Sequence, residues 1–590
     1  MVSLRPYSSP LVLGSSILLL QHLRRFNTSA LTMNGGPPTH ALPQKRPRTS
    51  QWLWQKCRRR ALKSLYHPWV LRLGASVLAR ESYVEFMRQD AFFLEIFAKA
   101  YAHALCKCPP GDVEGIRAFN ALIGGVLSEL TLHQSSTEWA IDTSTFTPNE
   151  ATVRYTSFLR DVGADQWTTT AMVLASMAPC MSLYAFIGKA LREGVGEEGM
   201  AGHRYNEWLA TYSSAEFAQD AARVEELLDR YTDPLLSLSG QVGEDAVRGN
   251  LLYYYGNAMD LEYGFFDAQA LPPPSCAPSA SPSRHPGLAQ RGVLSFVAID
   301  FDGTCTQRDT TPLLHEVAAE VHSDPDQVRQ RWRAIEDAFF DKYRRKVGEL
   351  LEGKVRDGMN GLEAFLGGLG EFEKAAVADV SEARLLQGFT RDDVRRMVKT
   401  SLRQKWQVRD ACGEVLSGLL SHDVPASIIS VSWSQDMIHT ILQDACGAPL
   451  SLPITCNSFS FREDDQRATG EISSHMTGAV DKLRAFRRLR EEKGREGRLS
   501  VFIGDSVTDL LALLEADIGI VLKDALNKNN TLDKVISLYG IDVQPLVRAA
   551  MIAQCGQEAA TVTPVSMPPM TIYAADGWDE IGVMLFGNEF

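Results

Sequence analysis

The chain has 590 residues, too many for one hydrophobic core, so two or three domains are expected. Its net charge of −12 argues against nucleic acid as a partner, because a phosphate backbone calls for a basic face. Ten cysteines lie scattered without zinc-type pairs, Cys106 and Cys108 being too close together for a metal site, and no apolar run reaches membrane-spanning length; reduced thiols, an intracellular compartment and no membrane partner are expected.

The first acidic residue is Glu81, and Arg5, Arg24, Arg25, Arg46 and Arg48 precede it among many serines and threonines. An acid-free leader rich in arginine and serine has the composition of an organellar transit peptide, here about residues 1–50. A mitochondrial address is favoured over plastid or secretion, because Arg24 and Arg25 follow the short apolar run Leu11 to Leu20. Initiation at Met33 would give a leaderless cytoplasmic form.

From about 51 to 268 the apolar residues recur at helical period, with breaks expected at Pro109-Pro110, Pro148 and Pro234 and no strand pair. Three helices carry a reactive side chain on the apolar stripe. Asp90 shares a face with Phe86, Phe93, Phe97 and Tyr101; Cys180 with Val173, Met177, Tyr184 and Ile187, beside the disturbing Pro179; Glu262 with Leu252, Tyr255, Met259 and Phe266. A carboxyl against an apolar wall has its pKa raised toward the acid/base range. Each such residue alone is more often structural; together they outline an aromatic-lined pocket for a flat polar ring.

The segments Arg88-Gln89-Asp90-Ala91-Phe92-Phe93-Leu94, Tyr155-Thr156-Ser157, Ala178-Pro179-Cys180-Met181-Ser182-Leu183-Tyr184, Trp208-Leu209-Ala210-Thr211-Tyr212 and Glu262-Tyr263-Gly264-Phe265-Phe266 resemble the TenA (thiaminase II) family. The resemblance implies an all-helical bundle of the haem-oxygenase type without haem. It implies Cys180 as nucleophile toward an aminopyrimidine ring, Glu262 as acid/base residue, Asp90 on the amidine edge, and Tyr155, Tyr184 and Tyr212 shaping the pocket. Phe93 departs from the tyrosine common in bacterial members, which puts substrate range in doubt. TenA-like bundles are commonly tetrameric, so a homo-oligomer through this domain is expected.

Residues 269–292, rich in proline and serine, cannot build a core and read as an extended or disordered linker. The apolar run ending in Asp300-Phe301-Asp302-Gly303-Thr304 then opens a domain over 293–590, expected to be α/β with a parallel sheet. Two neighbouring carboxylates at a strand end repel one another unless a cation neutralises them. A second apolar run ends in Gly504-Asp505-Ser506-Val507-Thr508-Asp509, Ala426 to Ser430 is a third strand ending in a hydroxyl, and Lys482 is a candidate cation for phosphate. Ser432 rivals Ser430 for contact with a phosphoryl oxygen. The helix-patterned stretch of about 309–415 is too long for a tight connection, and the last recognisable strand is Ile518 to Leu522, with the segment after about 540 too irregular to place.

These four motifs in this order resemble the haloacid dehalogenase superfamily, whose Rossmann-like sheet commonly carries a helical cap, here 309–415. The resemblance implies Asp300 as the nucleophile that forms an aspartyl-phosphate and Asp302 as general acid and base. It implies Mg²⁺ held by Asp300, Asp505 and the backbone carbonyl of Asp302, with Asp509 behind them or bound through water, and phosphate positioned by Thr304, Ser430 and Lys482. The two domains in series resemble the bifunctional thiamin-salvage proteins of plants. That implies thiamin monophosphate and 4-amino-5-aminomethyl-2-methylpyrimidine as substrates. A broad nucleotide or sugar phosphatase with a non-catalytic pyrimidine- or thiamin-binding module remains the alternative.

Overall fold

The structure, a computed structural model, describes residues 47–135, 146–238, 240–271, 287–352, 358–447, 451–526, 531–553 and 570–590. The leader over 1–46 and the centre of the linker, 272–286, lie outside the described residues.

Between residues 49 and 267 the described regular structure is helical, and the long helices are Arg80–Cys106, Val113–Ser135, Glu150–Ala164, Thr170–Met200, Ala215–Leu238 and Gln241–Asp267. Their apolar stripes pack on one another, so Phe86, Asp90, Phe93, Phe97 and Tyr101 are all buried on one face of Arg80–Cys106. Two sequence expectations change here. Pro234 lies inside Ala215–Leu238 and does not break it. Thr170–Met200 is long and apolar enough, by composition, to cross a membrane, with a mean hydropathy of 1.6, but 72% of that stretch is buried inside the protein. It is a core helix of the bundle, which its apolar neighbours explain.

The second half builds a seven-stranded parallel sheet in the order β3-β2-β1-β6-β7-β9-β8, from β1 (Leu294–Ile299), β2 (Ala426–Ile429), β3 (Ile454–Thr455), β6 (Leu499–Gly504), β7 (Ile518–Leu522), β8 (Asp542–Pro545) and β9 (Thr571–Ala575). β1 is buried along its whole length, as a central parallel strand covered on both faces must be. Ile299 pairs with Ile428 on one side and Ile503 on the other, so the ends of β1, β2 and β6 deliver Asp300, Ser430 and Asp505 to one edge. Ligands bind at such an edge where the strand order reverses.

β7 is the last strand recognisable from the sequence but not the last of the sheet: in the segment after 540, too irregular to place from its sequence, β9 pairs with β7 and β8 with β9. β8 is short and half-buried, which is why its periodicity was weak. Helices Leu313–Val321, Pro325–Glu352, Gly358–Glu382 and Arg391–Lys399 fill the connection from β1 to β2. A hairpin of β4 (Ser458–Phe461) and β5 (Ala468–Ser473) joins this insert through the Gln387–Thr469 bridge, a contribution that the sequence spacing hides. The linker's end is structured: Leu288 and Ala289 donate backbone hydrogen bonds to Met584 and Leu585.

Arg48–Phe590 forms one compact unit, so the bundle and the sheet domain are docked on each other. Arg58 pairs with Asp576 at 2.5 Å, Arg59 with Asp579 at 2.8 Å, and the Tyr66 hydroxyl donates to Glu580 at 2.8 Å.

Candidate active sites

At the sheet edge, Asp300, Asp505 and Asp509 each bring a carboxylate oxygen within 4.8 Å of the others. Lys482, on helix Ala479–Lys493, reaches between them, with its Nζ 2.6 Å from Asp300 and 2.7 Å from Asp509, fully out of solvent. Burial disfavours the lysine's charge, but Asp300 and Asp509 outweigh it and raise its pKa. Burial, then the Asp509 charge, pushes Asp300 up, with Lys482 opposing. Thr304 donates to Asp505 at 2.7 Å and lies 3.2 Å from Asp300. Burial, then Asp509, raises Asp505 to about 6.

The turn after β1 must be tight for this. Gly303 has φ 80°, and a Cβ there would lie 2.3 Å from an Asp505 oxygen, so the loop closes on that carboxylate only with glycine. Arg409 Nε holds the Gly303 carbonyl and Trp578 Nε1 the Thr304 carbonyl, each at 2.8 Å. Neither residue carries a motif, so sequence reading missed both.

Asp302 stands apart from the carboxylate cluster. Its Oδ1 accepts the Thr310 amide at 2.7 Å and hydroxyl at 2.6 Å, while its Oδ2 is buried without a partner among the described residues. Burial, then the charge of Asp309, raises it to about 7. Asp309 also adds to burial in raising Glu373, on the helical insert, to about 7. Asp509 is saturated: Oδ2 accepts the amides of Asp505 and Ser506 and the Ser506 hydroxyl, and Oδ1 accepts Lys482. Ser430 is fully buried, and among the described residues its hydroxyl bonds the Ser432 amide at 3.1 Å and no carboxylate. The Ser432 hydroxyl has no partner, so the choice between the two serines stays open.

The donor set is all hard oxygen, and the crowded carboxylates call for a cation beyond Lys482, so the residues fit Mg²⁺. Asp300 and Asp505 would hold it with the Asp302 carbonyl, in front of the saturated Asp509. Removing the lysine tests how these charges are balanced. With a chelator present, Lys482→Met is expected to lose roughly 3–5 kcal/mol of unfolding free energy, because a buried pair loses its cation. Chemical denaturation measures it, and a loss under about 1 kcal/mol, the scale of an exposed pair, would contradict that balance.

The helical half holds a cavity of about 740 Å³ whose wall includes Asp90, Cys180, Tyr184 and Tyr212. Tyr155 and Glu262 are not on its lining but back it: the Tyr155 hydroxyl donates to Glu262 at 2.7 Å, and Glu262 accepts the Cys180 thiol. Burial raises Glu262 to about 7, with the Tyr155 and Cys180 hydrogen bonds opposing. Burial, then the Glu262 and Asp90 charges, drives Cys180 well above an ordinary thiol. Phe93 packs tilted against Tyr155, 4.7 Å between centroids. Asp90, 6% exposed, is raised by burial and then by Glu129, an acid that the sequence reading did not single out because it sits on a different helix with no motif around it.

Comparison with known proteins accounts for both halves. The TENA/THI-4/PQQC family matches residues 54–252 and the haloacid dehalogenase-like hydrolase family residues 297–514. The "Bifunctional TH2 protein, mitochondrial" of Arabidopsis thaliana is 29% identical over 94% of this chain and 91% of its own. The "Aminopyrimidine aminohydrolase" of Halalkalibacterium halodurans is 28% identical over 29% of this chain and 76% of its own. A crystal structure of a TenA family transcription regulator from Silicibacter covers 37% of this chain and 95% of its own, with 23% identity and a TM-score of 0.32. The chain is a hydrolase that joins an N-terminal TENA/THI-4/PQQC-family domain to a C-terminal haloacid dehalogenase-like domain, and its similarity to the Arabidopsis protein runs through both.

Proposed function

We propose that the protein is a bifunctional thiamin-salvage enzyme that dephosphorylates thiamin monophosphate and hydrolyses 4-amino-5-aminomethyl-2-methylpyrimidine to its hydroxymethyl counterpart. The observation that carries the first activity is the convergence of Asp300, Asp505 and Lys482 beside an Asp302 poised at about 7. Asp300 attacks phosphorus and becomes an aspartyl-phosphate, while Asp302 gives its proton to the leaving oxygen and then takes one from water. Mg²⁺, when bound, supplies the positive charge that lets an anionic carboxylate meet a phosphate dianion. Lys482 opposes the upward push on Asp300 and orients its carboxylate. Asp309 acts on Asp302 and Glu373 lies within reach of Asp309, and this acidic surround favours an ester with a cationic leaving group, such as a thiazolium alcohol, over sugar or nucleotide phosphates.

In the bundle, Glu262 takes the Cys180 proton and later protonates the departing amine, with the ring held over the aromatic wall. The name of the Arabidopsis relative and the aminohydrolase homologues support this reading. The experiment is a panel of phosphate esters with purified protein and Mg²⁺, together with ammonia release from the aminopyrimidine. Equal turnover of sugar, nucleotide and thiamin phosphates would point to a broad phosphatase, and tight pyrimidine binding without turnover to a binding module.

A mitochondrial address is part of the proposal, supported by the acid-free leader and by the mitochondrial homologue. Reporters fused to residues 1–50, or started at Met33, test it together with the cytoplasmic form; identical distributions would refute it. Association of copies through the bundle is also part of the proposal, and size-exclusion chromatography with light scattering tests it. Small-molecule substrates, rather than nucleic acid or membrane, complete the reading.

A further inference from the structure

The cavity in the bundle is larger and more acidic than one pyrimidine ring accounts for. Beyond Asp90 and Cys180 its lining includes Tyr101, Glu129, Leu122 and Val126. Glu129 sits on helix Val113–Ser135, which contributes none of the residues the motifs single out. Its Oε1 accepts the Tyr212 hydroxyl at 3.0 Å, so the carboxylate is tied to the aromatic wall.

Its charge is felt by Asp90, Cys180, Tyr101, Tyr184 and Tyr212, which places it in the electrostatic neighbourhood of the whole site. The basic residues on the lining are Arg223 and Arg230. The first is paired with Asp220 and the second with Asp112 and Glu114. Neither is left to neutralise Glu129. Carboxylates gathered around one cavity repel one another unless a cation enters or one of them takes up a proton, and burial already raises both Asp90 and Glu129.

A second observation points to the same end. Tyr101 is on the cavity lining and 1% exposed, and among the described residues its hydroxyl has no hydrogen-bond partner. A buried phenol of this kind costs stability unless something satisfies it.

We propose that Glu129, with Tyr101, forms a subsite that receives the protonated amino group of a cationic aminomethyl-pyrimidine and so selects it over neutral analogues. This inference rests on the aminopyrimidine reading of the domain. In it, Glu129 holds the alkylammonium and takes one proton from it as the sulfur adds, so that the neutral amine receives the Glu262 proton and departs as ammonia. The neutral hydroxymethyl product, lacking that charge, is held less well and leaves.

The test measures binding of 4-amino-5-aminomethyl-2-methylpyrimidine and of its 5-hydroxymethyl counterpart by calorimetry, on the full chain carrying Cys180→Ser to prevent turnover. Adding Glu129→Gln keeps an acceptor for the Tyr212 hydroxyl and removes only the charge. The expected result is an at least tenfold weaker Kd for the aminomethyl compound, about the strength of one charge-assisted hydrogen bond, with the hydroxymethyl Kd changed by less than about twofold. Glu129→Asp should restore part of the preference, and Tyr101→Phe should weaken the aminomethyl compound less than Glu129→Gln does. If Glu129→Gln weakens both compounds equally, or neither, Glu129 only props Tyr212 and the subsite is overturned while the aminopyrimidine reading stands. If the Cys180→Ser chain binds neither pyrimidine, both fall.

Discussion

Asp300→Asn is expected to lower phosphate release from thiamin monophosphate by at least about a thousandfold, the scale on which loss of a covalent nucleophile acts. The substitution is close to isosteric, so its effect reads chemistry and not packing. Asp300 is buried at the end of β1, its amide bonded to the Ile503 carbonyl, and an asparagine keeps that backbone register. Lys482 retains Asp509 as its anionic partner at 2.7 Å, so the variant leaves no buried lysine uncompensated. The fold should therefore survive, and far-UV circular dichroism checks that it does. Asp302→Asn should behave differently: attack by Asp300 is still possible, but the group at about 7 that activates water is gone, so phosphoenzyme should accumulate and be trapped by acid quench. Phosphate release by Asp300→Asn within tenfold of the wild type would end the nucleophile assignment.

Cys180→Ser is expected to abolish ammonia release from the aminopyrimidine, again by at least about a thousandfold. The physical reason is the protonation state. Burial and the neighbouring Glu262 and Asp90 charges hold the thiol well above its ordinary pKa, so no resting thiolate exists and the proton must pass to Glu262 as the sulfur attacks. A serine hydroxyl is a much weaker acid and gives its proton up less readily. The same arrangement sets a pH dependence. Glu262, raised to about 7, takes a proton only in its carboxylate form, so kcat/KM should climb as pH rises through about 7 and flatten above it. Glu262→Gln should remove that limb together with most of the rate. A flat profile from pH 5 to 9 would exclude Glu262 as the base.

Much of both sites was legible because each motif is local. Asp300, Asp302 and Gly303 share one strand end and turn, and Asp505 and Asp509 share another, where the Ser506–Asp509 capping box seats Asp509 against its own loop. The inward placement of Asp90, Cys180 and Glu262 followed from helical period alone, which needs no knowledge of neighbours. Groups that meet only through tertiary packing were not legible. Trp578, Arg409 and Glu129 come from elements far along the chain and carry no local pattern, and β8 and β9 are recognisable as strands only by what they pair with.

By itself the chain determined the two domains' classes, the order of their motifs and the identity of most reactive side chains, since spacing and hydrophobic period specify which residues lie at a strand tip or on an inward face. Only the tertiary structure decided how those groups are charged. Lys482 lies between Asp300 and Asp509, Glu262 accepts the Cys180 thiol in a dry wall, and Asp302 keeps one oxygen unpaired. Protonation depends on burial and on partners several ångströms away, and those distances exist only once the chain has folded.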